Sequence, residues 1–282
     1  FKEVYSNNIE DLRPDGVELL NAISFIGADK QPGGFYHQPV TLSFEHGFSY
    51  GGSTGNIFAL SGARESVHAD AQVQGSELVL QSYLSVGAAS RSLNSKGAFV
   101  SETKYLVENM LRSMARRLEV TLFYGQVGIG TVAADVAAAA VITISDAEWA
   151  SVIWSGSEGA SVDFVDPSLT GPIIATGVIQ SVDLDNKQIT LTSNVTVSEN
   201  DVIFFTGSYV NNAQVNYTQE MAGLHKILSN TGSLFNINAA TYNLWKANTI
   251  DVGPDALNPA ALSFAKIEEG VARAQGKGLH KD

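Results

Sequence analysis

The stretch FSYGGSTGN, Phe48 to Asn56, sets three glycines, a serine and a threonine between Gly51 and Gly55. Such a run is able to cradle a phosphate, but that needs a strand before it, a helix opening directly after it and usually a lysine. No helical pattern follows Gly55, and no lysine occurs between Lys30 and Lys96. A second glycine run, GQVGIG (Gly125–Gly130), has the wrong spacing for a dinucleotide fingerprint and follows a helix instead of opening one. The histidines are His37, His46, His68, His225 and His280, with no i, i+4 pair among them, and the pair in HAD (His68–Asp70) lacks further ligand spacing. There is no cysteine, which excludes thiolate ligands, cysteine nucleophiles and disulfides. No GxSxG elbow is present. Asp163 with Asp166, and Asp183 with Asp185, are carboxylate pairs by spacing, but they lie in a segment that is acidic throughout, where a solvated face is the plainer reading. The aromatics of SLFNINAATYNLW (Ser233–Trp245) suit a sugar site less well than a core or a subunit contact. The expectation is therefore no catalytic residue, no cofactor and no metal, and not an enzyme.

Structure must carry the reading instead. The composition is that of an α+β protein with a packed core: 44% hydrophobic, 16% charged and 26 glycines in 282 residues. Residues 1–35 read as an arm with one short helical pattern, Val17, Leu19, Leu20 and Ile23. PVTLSFE alternates like a half-buried strand, and ELVLQSYLSV (Glu77–Val86) is a further strand candidate. SETKYLVENMLRSMARRLEVTLFYG is the clearest helix, over 101–124. Ser101 is its expected cap, Gly125 its stop, and Val107, Met110, Leu111, Met114, Leu118 and Leu122 its apolar stripe. VIQSVDLDNKQITLTS reads as a hairpin turning at Asp185-Asn186, with Val178, Val182, Leu184, Ile189 and Leu191 on one side. With NDVIFFTG and three shorter runs it makes a small β module over 137–208. YTQEMAGLHKILSN and NPAALSFAKIEEGVARAQGKG read as helices, the second starting near Pro259 with Leu262, Phe264, Ile267 and Val271 on its apolar side.

Net charge is −12, which gives no counterion-release gain on nucleic acid. Between Val127 and Ser208 ten acids face one base, Lys187, so −9 of the total sits in this one middle segment. No apolar run reaches 18 residues, and no membrane helix is expected. The first residue is Phe1, which reads as a processed or truncated product.

The phrases GAFVSETKYLVENMLRSMARRLEVTLFYG, GIGT, ISDAEWASVIWSGSEGASVDF and EMAGLHKILSNTGSLFNINAATYNLWKA, in that order, resemble tailed-bacteriophage major capsid proteins of the Hong Kong 97 fold over roughly residues 17–275. The resemblance implies an N-terminal arm at 1–35, an extended β-hairpin loop at 36–78 and a peripheral domain at 79–136 with its spine helix at 101–124. An inserted small β-barrel-like module at 137–208 and an axial-domain segment at 209–282 follow, in a chain expected to be C-terminally incomplete. It implies self-assembly into hexamers and pentamers of an icosahedral shell that encloses double-stranded DNA without sequence-specific binding, in a virion assembled in the host cytoplasm. Scaffolding, portal and decoration proteins are the further partners, and no membrane is involved. Tyr50, Gly51, Gly52, Ser53, Thr54 and Gly55 then become the tip of the loop, touching a neighbouring subunit. An encapsulin-type compartment shares the architecture, and a virion-surface carbohydrate-binding adhesin is the alternative from another class. Some capsid proteins crosslink through a lysine in the extended loop, which this loop lacks. Mature particles boiled in SDS are accordingly expected to run as a single monomer band; a covalent ladder on the gel refutes this.

Overall fold

The computed structural model describes residues 17–24, 35–51, 53, 60–83, 96–212, 215–230, 232–250 and 263–278. It is a mixed α and β structure with a curled antiparallel sheet. Two compact units divide the chain, one comprising Phe1–Phe25 and Ser76–Leu224, the other Ile26–Gly75 and His225–Asp282.

The first unit is built on two helices and the sheet. Helix α1 (Glu18–Ala22) is one short piece, and α2 (Lys96–Tyr124) runs for 29 residues, roughly 44 Å. Helix α2 starts more than a turn before Ser101, the expected cap. A serine cap is worth about 1 kcal/mol, and no proline between Lys96 and Val100 stops the helix from running past it. The end of α2 also differs in kind from the expectation. The left-handed residue is Gln126 (φ 69), not Gly125. Gly125 is required for a different reason: a Cβ there would sit 2.1 Å from the Met221 carbonyl oxygen. The irregular segment 219–223 crosses the helix end at this point, and Gly223 N–H donates to Gly125 C=O at 2.9 Å. A Cβ on Gly223 would in turn lie 2.5 Å from the Gly125 nitrogen. This crossing explains why YTQEMAGLHKILSN forms only the short helix α4 (Leu224–Leu228) in place of the longer one expected.

Between the crossing points the chain forms the sheet. Its strands are β3 (Gly130–Thr131), β4 (Val136–Thr143), β5 (Ser161–Val165), β6 (Ile173–Asp183), β7 (Gln188–Val197) and β8 (Val202–Phe205), with the short helix α3 (Ser151–Trp154) between β4 and β5. The spatial order is β3-β8-β5-β6-β7-β4, every pair antiparallel. The two outer strands meet at the bridge Val132–Ile144, flanked by Ala133 N–H to Thr143 C=O and Ser145 N–H to Thr131 C=O. The sheet thus curls until its edges touch, around a core that includes Val132, Ile142, Ile144, Val162, Phe164, Ile189, Leu191 and Ile203. Strand β8 is buried at all four positions because its two faces serve different clusters. Ile203 and Phe205 face the main core, and Val202 and Phe204 join Val165 and Tyr209 in a second one.

The expected hairpin is present as β6 and β7, and Asp183 accepts hydrogen bonds from the Asp185 and Asn186 N–H groups across the turn. Its phase differs from the expected one. Ile179 is buried, while Val178 and Leu184 are exposed, because the register shifts between Ile179 and Ser181 and flips the alternation there.

In the second unit, β1 (Phe35–Thr41) pairs antiparallel with β2 (His68–Gln74), from Phe35 opposite Gln74 to Thr41 opposite His68. The pairing continues loosely outward through Leu42 N–H to Val67 C=O, His46 N–H to Arg64 C=O and Ser61 N–H to Ser49 Oγ. PVTLSFE therefore enters a strand earlier than its alternation predicts. Leu42 closes the apolar side while Phe44 is exposed. Glu77–Tyr83 is irregular chain and not a strand; the remainder of that candidate lies outside the described residues. The apolar side of the hairpin packs against Phe235, Ile237, Tyr242 and Trp245. Helix α5 (Phe264–Gly276) follows, capped by Ser263, whose Oγ accepts from Lys266 N–H. Pro259 and Leu262 lie outside the described residues.

Gly125→Ala is expected to cost about 3 kcal/mol or more in chemical denaturation, since its methyl meets a backbone carbonyl that has no rotamer to escape into. Gly276→Ala, which meets nothing within 4 Å, is expected to be neutral or stabilising by up to about 1 kcal/mol. Equal losses for both would remove the crossing as the cause.

Candidate functional site

The residues first weighed for chemistry are occupied structurally. His37 Nδ1 lies 2.6 Å from Asp70 Oδ2 on the exposed face of the hairpin, and that contact holds the Asp70 carboxyl below its ordinary range. His68 shares the same face, between the Thr41 and Ser66 hydroxyls. Asp163 is buried and accepts from the Thr176 and Thr206 hydroxyls and from Gly207 N–H. Asp166 and Asp183 close turns through Ser168 and Asn186, and those bonds lower both carboxyls. No group of three potential metal ligands occurs among the described residues. The aromatics Phe235, Tyr242 and Trp245 lie in the packed cluster, where Trp245 Nε1 donates to the Leu234 carbonyl. In the loop, Tyr50 is 92% exposed, and Gly52, Thr54 and Gly55 lie outside the described residues.

A different site emerges beside α2. A cavity of about 450 Å³ lies along the helix, lined by Leu78, Leu80, Met114, Leu118, Phe205 and Met221 among others. Its charged members are Glu77, Arg117 and Glu220, and serine, threonine and glutamine side chains join them. The Arg117 guanidinium lies 3.2 Å from the centroid of the Phe205 ring, a cation resting on an aromatic face. Burial pushes this guanidinium down to about 10, opposed by the charge of Glu220 and reinforced by Arg116. Burial likewise raises the Glu220 carboxyl, against the opposing pull of Gln126 N–H, the Ser208 hydroxyl and Arg117. Gln126, in its left-handed conformation, donates Nε2–H to the Glu220 carbonyl at 2.9 Å. The sequence contained a signal for Arg117. It falls three residues after Met114 and seven after Met110, within the apolar stripe, where a cation must find a partner. Nothing local pointed to Glu220, which is distant in sequence.

Two further contacts fix α2. Glu119 is buried, and its two carboxylate oxygens accept the Leu19 and Leu20 N–H groups at 2.8 and 2.7 Å. It therefore satisfies the open amides at the start of α1 from a position about a hundred residues away. Arg116 donates to the Val152 and Ser155 carbonyls and ties α3 to the helix. Further along α2 toward its start, Val107 is exposed and Leu111 is 65% exposed, although both belong to the stripe. On α5 the residues Phe264, Ile267 and Val271, also one stripe, are all exposed, Phe264 at 75%.

This arrangement suits holding elements together and presenting apolar helix faces. Comparison with protein-family models, with curated proteins and with solved structures returns no match. Among the described residues, no helix is long and apolar enough to cross a membrane.

Because folding raises the Glu220 pKa, the folded state holds that proton more tightly than the unfolded chain does. The resulting stabilisation is full below the ordinary value of 4.5 and is lost as pH rises through the raised one. Glu220→Gln is expected to abolish this component in urea-denaturation midpoints measured from pH 4 to 7.5. Arg117→Met removes the Phe205 contact and a charge that lowers the Glu220 carboxyl, and is expected to cost about 1–3 kcal/mol at pH 7, part of it recovered in the double variant. Additive losses would show that the two groups are uncoupled.

Proposed function

We propose that this chain is a self-assembling shell protein, namely a major capsid protein of the Hong Kong 97 type that its sequence resembles. It forms the hexamers and pentamers of an icosahedral shell around double-stranded DNA, in a virion. The observation that carries the reading is the pair of apolar helix stripes open to solvent, Val107 and Leu111 on α2 and Phe264, Ile267 and Val271 on α5. An amphipathic helix with its apolar side in water is unfavourable by about 25 cal/mol for each Å² left uncovered, and a contiguous exposed apolar surface of this kind marks a contact with another chain. The order of elements gives second support. A short helix is held on a long one, an extended hairpin precedes that long helix, and a β module follows it. The hairpin of β1 and β2 is covered on its apolar side by Phe235, Ile237, Tyr242 and Trp245, so it is its outer end that is open to a neighbour. Its outer end, with Tyr50 exposed, fits a role in reaching a neighbouring subunit. The carbohydrate-binding alternative loses its main support, because Phe235, Tyr242 and Trp245 are engaged in packing.

The test is assembly. Sedimentation velocity and negative-stain microscopy of the purified chain at tens of micromolar are expected to reveal capsomers or closed shells. A chain that stays monomeric at that concentration overturns the proposal. Leu111→Glu and Phe264→Glu are expected to block assembly while moving the unfolding free energy by less than about 1 kcal/mol, as befits exposed sites. Deletion of residues 51–55 is expected to impair assembly more than folding. Particles that carry an enzyme in place of DNA would assign the chain to the compartment type of shell.

A further inference from the structure

The second unit contains a polar cavity of about 440 Å³, at the C-terminal end of α5, within the size range of small-ligand pockets. It is lined by Asn243, Lys246, Asn248, Thr249, Arg273 and Lys277, together with backbone. Three basic residues therefore line one cavity in a chain whose net charge is −12, and no carboxylate lines the cavity among the described residues. Two of the cations are fixed in place by the loop opposite. Lys277 Nζ donates to the Lys246 carbonyl at 2.5 Å, and Arg273 donates to the Thr249 carbonyl at 2.8 Å. Arg273 is also matched by Glu269 at 2.6 Å, whereas Lys277 is held by a neutral carbonyl that leaves its charge uncompensated.

Cations in the last turn of a helix commonly do no more than offset its negative end. That accounts for Arg273 and for part of the charge on Lys277. It does not account for Lys246, which lies outside the helix and forms no ion pair among the described residues. Long cationic side chains lose rotamer freedom when they bind an anion. Here the carbonyls have already fixed two of them, while the amides of Asn243 and Asn248 and the Thr249 hydroxyl supply neutral donors beside them.

We propose that this cavity is a phosphate site, which receives a tetrahedral phosphate or phosphodiester oxyanion between Lys246 and Lys277. The Asn243, Asn248 and Thr249 side chains donate to its remaining oxygens. The site stands on the cavity alone and does not depend on the shell reading. Its phosphate has two possible sources, free inorganic phosphate or the backbone of a nucleic acid, and the recognising chemistry is the same for both.

The experiment uses the full chain. Thermal unfolding is followed against inorganic phosphate, and fluorescence anisotropy follows a labelled 20-base-pair duplex at several salt concentrations. Wild type is compared with Lys246→Gln, with Lys246→Gln/Lys277→Gln and with Lys226→Gln as a control outside the cavity. Phosphate is expected to raise the wild-type melting temperature in a saturable way. The double variant is expected to lose at least tenfold in affinity, and Lys226→Gln to retain it. If nucleic acid is the source, the duplex binds and the slope of log K against log salt falls by roughly 0.9 for each phosphate contact removed. If free anion is the source, phosphate alone binds. Lys246→Gln keeps the test decisive should the double variant fail to fold, because the Lys246 side chain makes no hydrogen bond or ion pair among the described residues. The proposal is overturned if neither ligand binds, if Lys246→Gln binds as tightly as wild type, or if the control loses as much as the double variant.

Discussion

A positive charge laid on an aromatic ring, away from water, is the constraint from which much of the first unit follows. Arg117 rests on Phe205, the last residue of a strand buried on both faces, and so fastens the long helix to the curled sheet. A buried guanidinium is costly unless a counter-charge accompanies it, and Glu220 supplies one. Bringing Glu220 to the helix brings residues 219–223 with it. That leads the chain across the end of α2, where only glycine fits at 125 and 223, and it leaves Gln126 in a left-handed conformation secured by its own side chain. A buried cation with its counter-charge, a chain path, two glycines and a backbone exception thus meet at the end of one helix.

Glu119 works on the same principle in the opposite sense. A carboxylate buried on α2 is acceptable because two amides with no intrahelical partner donate to it. The five-residue α1 would be unstable on its own, since helices this short do not overcome the cost of nucleation. Here its first amides are satisfied by another element. Polar groups therefore position the elements of this unit, and the apolar core of the sheet stabilises what they position. The outward stripes on α2 and α5 belong to neither task, and for that reason they carry the proposal of assembly.

What could be read in the sequence was whatever repeats locally. The long helix announced itself through Val107, Met110, Leu111 and Met114, and the β6–β7 hairpin through Asp185-Asn186 flanked by alternating residues. Burial was harder to read. The pattern gives a helix an apolar side but cannot say whether this chain or another covers it, so Leu111 and Phe264 looked like core and are exposed. The alternation placed Val178 inside because a bulge near Ser181 has no signature in residue type. The 217–230 segment read as a helix because its spacing allows one. What overrides that spacing is Gly125, almost a hundred residues earlier. The candidate site was half visible for the same reason. Arg117 interrupts an apolar stripe and demands a partner, but the partner is set by tertiary folding.

The glycine crossing also bears on how such a chain could have been put together. Gly125 and Gly223 are joined by one backbone hydrogen bond, and the whole curled sheet lies between them in sequence. The module departs from the framework and returns to it at a single point, as a graft does. Its length and its acidic surface can therefore vary without altering the path of the chain on either side, so long as the module keeps the seat for Arg117 that Phe205 provides and the carbonyls that Arg116 reaches.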